Sequence, residues 1–169
     1  MSRAVIVIAA TFALFAAATA GAAGVTRTGA AASTSFVKPV DGAVVSQGFG
    51  CTDVPVEPVD DDCPGGHWHS GIDLAAATGT TVVAAAAGHA HVIVSATGFG
   101  LHVVIDHGAG LQTLYGHLSA VTTADRDEVA AGQPIGAVGS TGNSTGPHLH
   151  FEVDRNGVAE DPRGLVPLP

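Results

Sequence analysis

The sequence predicts an all-β fold: a mostly antiparallel sheet sandwich or groove joined by glycine-rich loops. Three observations lead there. From Phe36 onward, short β-branched or aromatic runs alternate with glycine and proline turns. No segment sustains the apolar period of a helix. One strand-turn-strand pair is explicit: His102-Val103-Val104-Ile105-Asp106 turns through Gly108-Ala109-Gly110 into Leu111-Gln112-Thr113-Leu114-Tyr115.

The elements follow in order. Arg3 gives a positive start, Ala4 to Ala18 is apolar apart from Thr11, and small residues run on to Ala23. Residues 1–20 read as a secretory signal peptide, cut between positions 20 and 23. Alanine, only weakly apolar, is the commonest residue of the stretch, which favours cleavage over a membrane anchor. Residues 21–35 are small and polar and read as a flexible leader; residues 36–169 form a single domain. Val44 to Gly50 reads as a short strand ending in a glycine turn, and Thr81 to Ala87 as an apolar segment broken by Gly88. His91 to Ser95 is a strand, followed by the hairpin above. Asp125 to Ala131 is a helical turn or a loop, Gln133 to Gly139 follows a turn, and His148 to Asp154 is the last strand. Many short strands closed by turns favour a sandwich or barrel.

Charge narrows the partners. Without Arg3, five basic residues face fifteen acidic ones. That balance argues against nucleic acid and against anionic membrane surfaces, and no stable membrane insertion is expected once the signal is removed. Asp60-Asp61-Asp62 and Asp125-Arg126-Asp127-Glu128 read as solvated loop charges. Cys51 and Cys63 are the only cysteines; in an exported chain they suggest a disulfide, the alternative being a zinc site for which their spacing is poor evidence.

The chemistry lies in two clusters. His69 and Asp73 stand in His69-Ser70-Gly71-Ile72-Asp73, and His148 and His150 in Pro147-His148-Leu149-His150-Phe151-Glu152. Imidazole and carboxylate are nitrogen and oxygen ligands that suit zinc. Alternate residues of a strand share a face, so both late rings can enter one site. A catalytic zinc takes three protein ligands and leaves one position open. His69, Asp73 and one of the two late histidines would supply them. His117, in Tyr115-Gly116-His117-Leu118, offers a further ring. No His-Glu-x-x-His helix is present, so histidines would move the proton. Glu152 shares the face of His150; it either orients that ring or makes a solvent-facing ion pair. The other histidines read as bystanders: His67 at a rim, His89 and His91 on an alanine-rich segment, His102 and His107 as structural hydrogen-bonding residues. The loop Gly139 to Pro147 offers hydroxyls and amides to line a groove, or is simply a polar connection.

From about Phe49 to Pro162 the chain resembles the lysostaphin/LytM-type zinc endopeptidases. The resemblance rests on His69-Ser70-Gly71-Ile72-Asp73, Gly79-Thr80, Tyr115-Gly116-His117-Leu118, Ile135-Gly136 through Gly139-Ser140-Thr141-Gly142, and Ser144 through Glu152. It implies one zinc ion held by His69, Asp73 and His150, with His117 and His148 as catalytic histidines. It also implies a mostly antiparallel β fold with a long groove, and cleavage of the peptides of bacterial peptidoglycan. The expected setting is extracellular or periplasmic, at the cell envelope, and the expected state a monomer. Two departures are visible. Ala77-Thr78 stands where a proline is common, and the Cys51 to Cys63 segment looks like an insertion that could shape one wall of the groove. Two other readings are a non-catalytic wall-binding or hydrolase-activating module of the same fold, and a carrier module, which the export signal disfavours.

Overall fold

The structure, a computed structural model, describes residues 35–168. The expected signal peptide, and the leader up to its last residue, lie outside the described residues. In chain order the strands are β1 (Val44–Gln47), β2 (Gly50–Thr52), β3 (His67–His69), β4 (Ile72–Ala75), β5 (Thr81–Val83), β6 (Gly88–Val94) and β7 (Leu101–Asp106). They continue as β8 (Leu111–Gly116), β9 (Ala120–Val121), β10 (Glu128–Val129), β11 (Pro134–Ala137), β12 (His148–Arg155) and β13 (Val158–Glu160), then a 3-10 turn at Pro162–Gly164. Among the described residues no helix is long and apolar enough to cross a membrane.

The main sheet is antiparallel and runs β1-β4-β12-β8-β7-β6-β10, with β13 pairing to β12. A second sheet runs β5-β11-β9, and β2 pairs with β3 alone. The all-β, antiparallel expectation therefore holds.

β12 explains how this architecture makes a site. It lies between β4 and β8, and every residue from His148 to Val153 is buried. Leu149, Phe151 and Val153 enter the hydrophobic core with Ile72 and Leu74 of β4 and Tyr115 of β8. Alternation sends His148, His150 and Glu152 to the opposite face. β4 does the same: Ile72 and Leu74 face the core, and Asp73 faces the histidines. The apolar residues of β4 and β12 thus hold the polar face rigidly in place by their burial.

The structure revises one local expectation and decides another. Gly88 does not break the segment before it but opens β6. A Cβ there would lie 2.3 Å from the Asp106 carbonyl oxygen, so glycine permits the close approach of β6 and β7. Of the two readings of Asp125 to Ala131, the loop holds, and it carries β10. Its carboxylates are used locally: Asp127 Oδ2 accepts from the Ala124 amide at 2.8 Å, and Asp125 Oδ1 from the Val92 amide at 3.2 Å.

The two cysteines are joined as a disulfide, with Cα atoms 5.2 Å apart. It closes the loop that runs from β2 toward β3. Two hydrogen bonds also tie that loop to β3: His67 Nδ1 donates to the Glu57 carbonyl at 2.8 Å, and the Trp68 amide to the Pro58 carbonyl at 3.0 Å.

Candidate metal centre

The site assembles from four places in the chain. His69 ends β3, Asp73 lies in β4, His148 and His150 lie in β12, and His117 directly follows β8. All five are buried. Asp73 and His150 are opposed in the β4–β12 register, which brings Asp73 Oδ1 to 2.9 Å from His150 Nδ1. His69 Nε2 is 3.0 Å from His150 Nδ1 and 3.2 Å from Asp73 Oδ1. These three atoms form a nearly equilateral triangle.

The outer atoms of the two rings decide what the triangle is. His69 Nδ1 donates to the Gly48 carbonyl at 2.8 Å, and His150 Nε2 donates to Glu152 Oε1 at 2.9 Å. In the neutral rings, His69 Nε2 and His150 Nδ1 are therefore lone pairs. With Asp73 Oδ1 they make three acceptors pointed at one another. Only a cation between them relieves that repulsion, be it a proton or a metal ion. Tetrahedral zinc with bonds of about 2.0–2.1 Å places neighbouring ligands about 3.3 Å apart, close to the observed edges. Donor type, tautomer and spacing all fit a divalent metal.

The titration behaviour follows from the same contacts. Burial alone would drive the proton off His150. Its hydrogen bonds to Asp73 and Glu152 outweigh burial and raise the ring to about 9. Burial likewise opposes the Asp73 charge, but hydrogen bonds from His150 and His69 hold that carboxyl well below the usual carboxylate range.

Glu152 is not the solvent-facing ion pair of the alternative reading. It is 5% exposed, carries the His150 hydrogen bond and also accepts from the Ser70 hydroxyl. The intervening Gly71 makes room for this pair. A Cβ at Gly71 would lie 2.5 Å from the Phe151 carbonyl oxygen and 3.0 Å from both Glu152 Cγ and His150 Cε1. The His-Ser-Gly-Ile-Asp segment thus supplies two members of the triangle, the hydroxyl that steadies Glu152, and the space the outer contacts need.

His117 and His148 flank the triangle with ring centroids 4.7 Å apart. His117 Nδ1 donates to the Thr141 carbonyl and His148 Nδ1 to the Gly146 carbonyl, each at 2.8 Å. Both rings accordingly keep Nε2 free toward the site, and His148 Nε2 is 3.5 Å from Asp73 Oδ2. His117 has φ +60°, a strained setting for a residue with a side chain. Its amide donates to the Phe99 carbonyl at 2.8 Å, which holds that conformation. Burial, together with the neighbouring His148 and His150, lowers the His117 ring to about 4 against the pull of the Thr141 hydrogen bond. His117 is neutral at pH 7.

A cavity of about 410 Å³ opens over this centre, lined by Val56, Glu57, Pro58, Gly98, Phe99, His117, Asn143 and His150. Phe99 stacks on His150 with centroids 5.0 Å apart. A smaller cavity on the other side of His148 is lined by Ser46, Ala75 and Thr145 to Pro147. Of the Gly139 to Pro147 loop, Asn143 borders the first cavity and Thr145 the second. Its other hydroxyls brace the loop: Ser140 Oγ donates to Ser144 Oγ within it at 3.0 Å, and Thr141 Oγ1 ties it to the Leu118 carbonyl at 3.0 Å. The bystander histidines stay outside. His67 is bonded to Glu57 O, His102 Nδ1 donates to Gly100 O, His107 lies in a separate network, and His89 and His91 sit on β6. Phe99 and Glu57 were not legible as site residues: one stands in a glycine turn, the other in the disulfide-closed segment.

Comparison with known proteins agrees with this geometry. A family model described as Peptidase family M23 matches residues 67–162. DD-carboxypeptidase/endopeptidase Mpg of Neisseria meningitidis is 49% identical over 102 residues, covering 60% of this chain and 24% of that protein. Murein hydrolase activator EnvC of Escherichia coli is 40% identical over 93 residues, covering 55% of this chain and 22% of that protein. The chain therefore spans about a quarter of the length of these curated relatives. Among solved structures, the catalytic domain of the antimicrobial peptidase lysostaphin from Staphylococcus simulans superposes with a TM-score of 0.60 at 34% identity, covering 72% of this chain and 90% of that one.

Proposed function

The chain belongs to peptidase family M23, and from that membership we propose that it is a secreted, zinc-dependent endopeptidase that hydrolyses peptide bonds of bacterial peptidoglycan, in a cross-bridge or a stem peptide. Residues 36–169 would be the catalytic domain, and residues 1–20 the export signal that places it in the envelope or outside the cell. The observation that carries the reading is the triangle of His69 Nε2, Asp73 Oδ1 and His150 Nδ1, with two further imidazoles presenting free Nε2 atoms beside it. The Cys51–Cys63 disulfide supports an oxidising compartment.

His69, Asp73 and His150 would hold the zinc. Bound there, it supplies a Lewis acid that acidifies water and polarises a carbonyl. The remaining chemistry belongs to side chains of this chain. His117, kept neutral by burial, accepts the proton of the attacking water at Nε2, and its Nδ1 stays committed to Thr141 O. His148, in its doubly protonated form with Nδ1 on Gly146 O, would donate from Nε2 to the oxygen that gains charge as the peptide carbonyl is attacked, with Asp73 Oδ2 3.5 Å away to offset the ring's charge. Gly48, Glu152 and Ser70 keep the ligand rings in one orientation throughout. Phe99 covers one face of His150 and excludes water from it.

A second reading, a non-catalytic activator of other wall hydrolases, is favoured by the similarity to EnvC. The two separate experimentally. Purified protein digesting peptidoglycan, inhibited by a chelator and restored by zinc, supports the peptidase. Absence of stoichiometric zinc and of cleavage supports the activator. Full cleavage by Asp73→Ala would overturn the metal assignment.

A further inference from the structure

We propose that Glu57 is a specificity residue, the anchor for a primary ammonium group on the substrate; this rests on the peptidase reading above. Glu57 lines the 410 Å³ cavity together with His117 and His150. Its side chain is only 15% exposed, and among the described residues its one hydrogen-bond partner is the neutral amide of Gln47, whose Nε2 donates to Oε1 at 3.2 Å. Among the described residues the arginine ion pairs go elsewhere, to Asp125, Glu160 and Asp161. Among the described residues no lysine or arginine pairs with this carboxylate, and the basic atom within 4.0 Å of it is His69 Nε2.

The backbone around Glu57 is fixed. Its amide donates to the Val54 carbonyl at 3.1 Å, its carbonyl accepts from His67, and the disulfide closes the loop that carries it. The carboxylate is presented to the cavity on a braced segment, which suits recognition.

Two cations could meet it, the metal or a substrate ammonium. Glu57 Oε1 is 4.0 Å from His69 Nε2, outside the 2.9–3.2 Å spacing of the ligand triangle. It stands next to the metal centre and not within it. The walls beside it are apolar: Val56, Pro58 and Phe99 line the same cavity. Such walls fit the methylene stem of a diamino residue, with the ammonium at the carboxylate, and they also admit a free peptide N-terminus.

The test compares wild type with Glu57→Gln, an isosteric change that leaves the backbone ties intact. Three versions of one wall-derived peptide are used: unmodified, acetylated on the side-chain amine, and acetylated on the α-amine. Acetylation of one of the two should raise KM for wild type about tenfold, leave kcat near its original value, and have no effect on Glu57→Gln. The acetylation that matters identifies the source of the ammonium. The same preference in Glu57→Gln, or none in wild type, overturns the inference. So does loss of zinc in Glu57→Gln, which would make Glu57 a metal ligand. If neither protein cleaves any version, calorimetric binding of the same peptides separates the two claims. A Glu57-dependent preference for the free amine then sustains the anchor while the peptidase reading fails, and no preference overturns the anchor as well.

Discussion

Asp73 and His150 are direct cross-strand partners: their Cα positions oppose each other between β4 and β12, and Asp73 Oδ1 lies 2.9 Å from His150 Nδ1. A one-residue slip of that register would turn one of them into the hydrophobic core. Leu74 opposite Leu149 and Ile72 opposite Phe151 hold the register, since each must stay buried. The core packing of these two strands thereby sets the geometry of the His69, Asp73 and His150 triangle.

The outer contact from Glu152 is expected to matter for metal affinity and little for folding. Glu152→Gln keeps the shape but weakens the acceptor for His150 Nε2. Zinc affinity, measured by competition with a chromophoric chelator, should fall about 10- to 100-fold with the thermal transition largely retained. Unchanged affinity would show that His150 needs no carboxylate to orient it.

The two flanking histidines should separate chemistry from metal binding. His117→Ala and His148→Ala are each expected to retain one zinc per chain and to lose about 10²- to 10⁴-fold in kcat on a peptidoglycan peptide. Metal analysis and steady-state kinetics on the same preparation check both halves. Loss of zinc in either variant would make that ring a ligand.

Metal affinity should depend on pH with a definite sign. The His150 ring is raised to about 9, so below that value a proton occupies the nitrogen that the metal requires. Binding must displace it, and affinity rises with pH, about tenfold per unit for one proton, until it levels near 9. Calorimetry in buffers of different ionisation enthalpy counts the proton released. No release at pH 7 would contradict the assignment.

A second pH effect lies away from the site. His107 Nδ1 donates to the Ala87 carbonyl at 2.7 Å, and its Nε2 is 2.9 Å from Thr113 Oγ1, which is 2.9 Å from the hydroxyl of fully buried Tyr115. Burial lowers the His107 ring below its ordinary value, so the unfolded chain binds the proton more readily. The contribution is present in full above about pH 6.5 and is lost as pH falls below it. Urea unfolding at pH 8 and pH 5 should show a smaller acid loss in His107→Gln than in wild type.

How much of this was legible in the sequence depends on which face a residue occupies. The strands β7, β8 and β12 announce themselves through β-branched and aromatic runs. β3 and β4 do not, though they carry His69 and Asp73, because short strands with polar residues turned into a site look like turns. On β12 the alternation of apolar and polar residues suggests one wet face, yet His148, His150 and Glu152 are buried. The five candidate residues were legible through motif spacing and family resemblance. The Gly48 carbonyl, Phe99 and Glu57 reach the site only through tertiary packing, and no local pattern marks them.

The most direct test is a crystal of the purified protein with anomalous diffraction collected at the zinc edge. The expected result is one peak per chain, about 2.0–2.2 Å from His69 Nε2, Asp73 Oδ1 and His150 Nδ1. A peak bound by other residues, or none in protein prepared with zinc, would contradict the claim that these three side chains hold one metal ion.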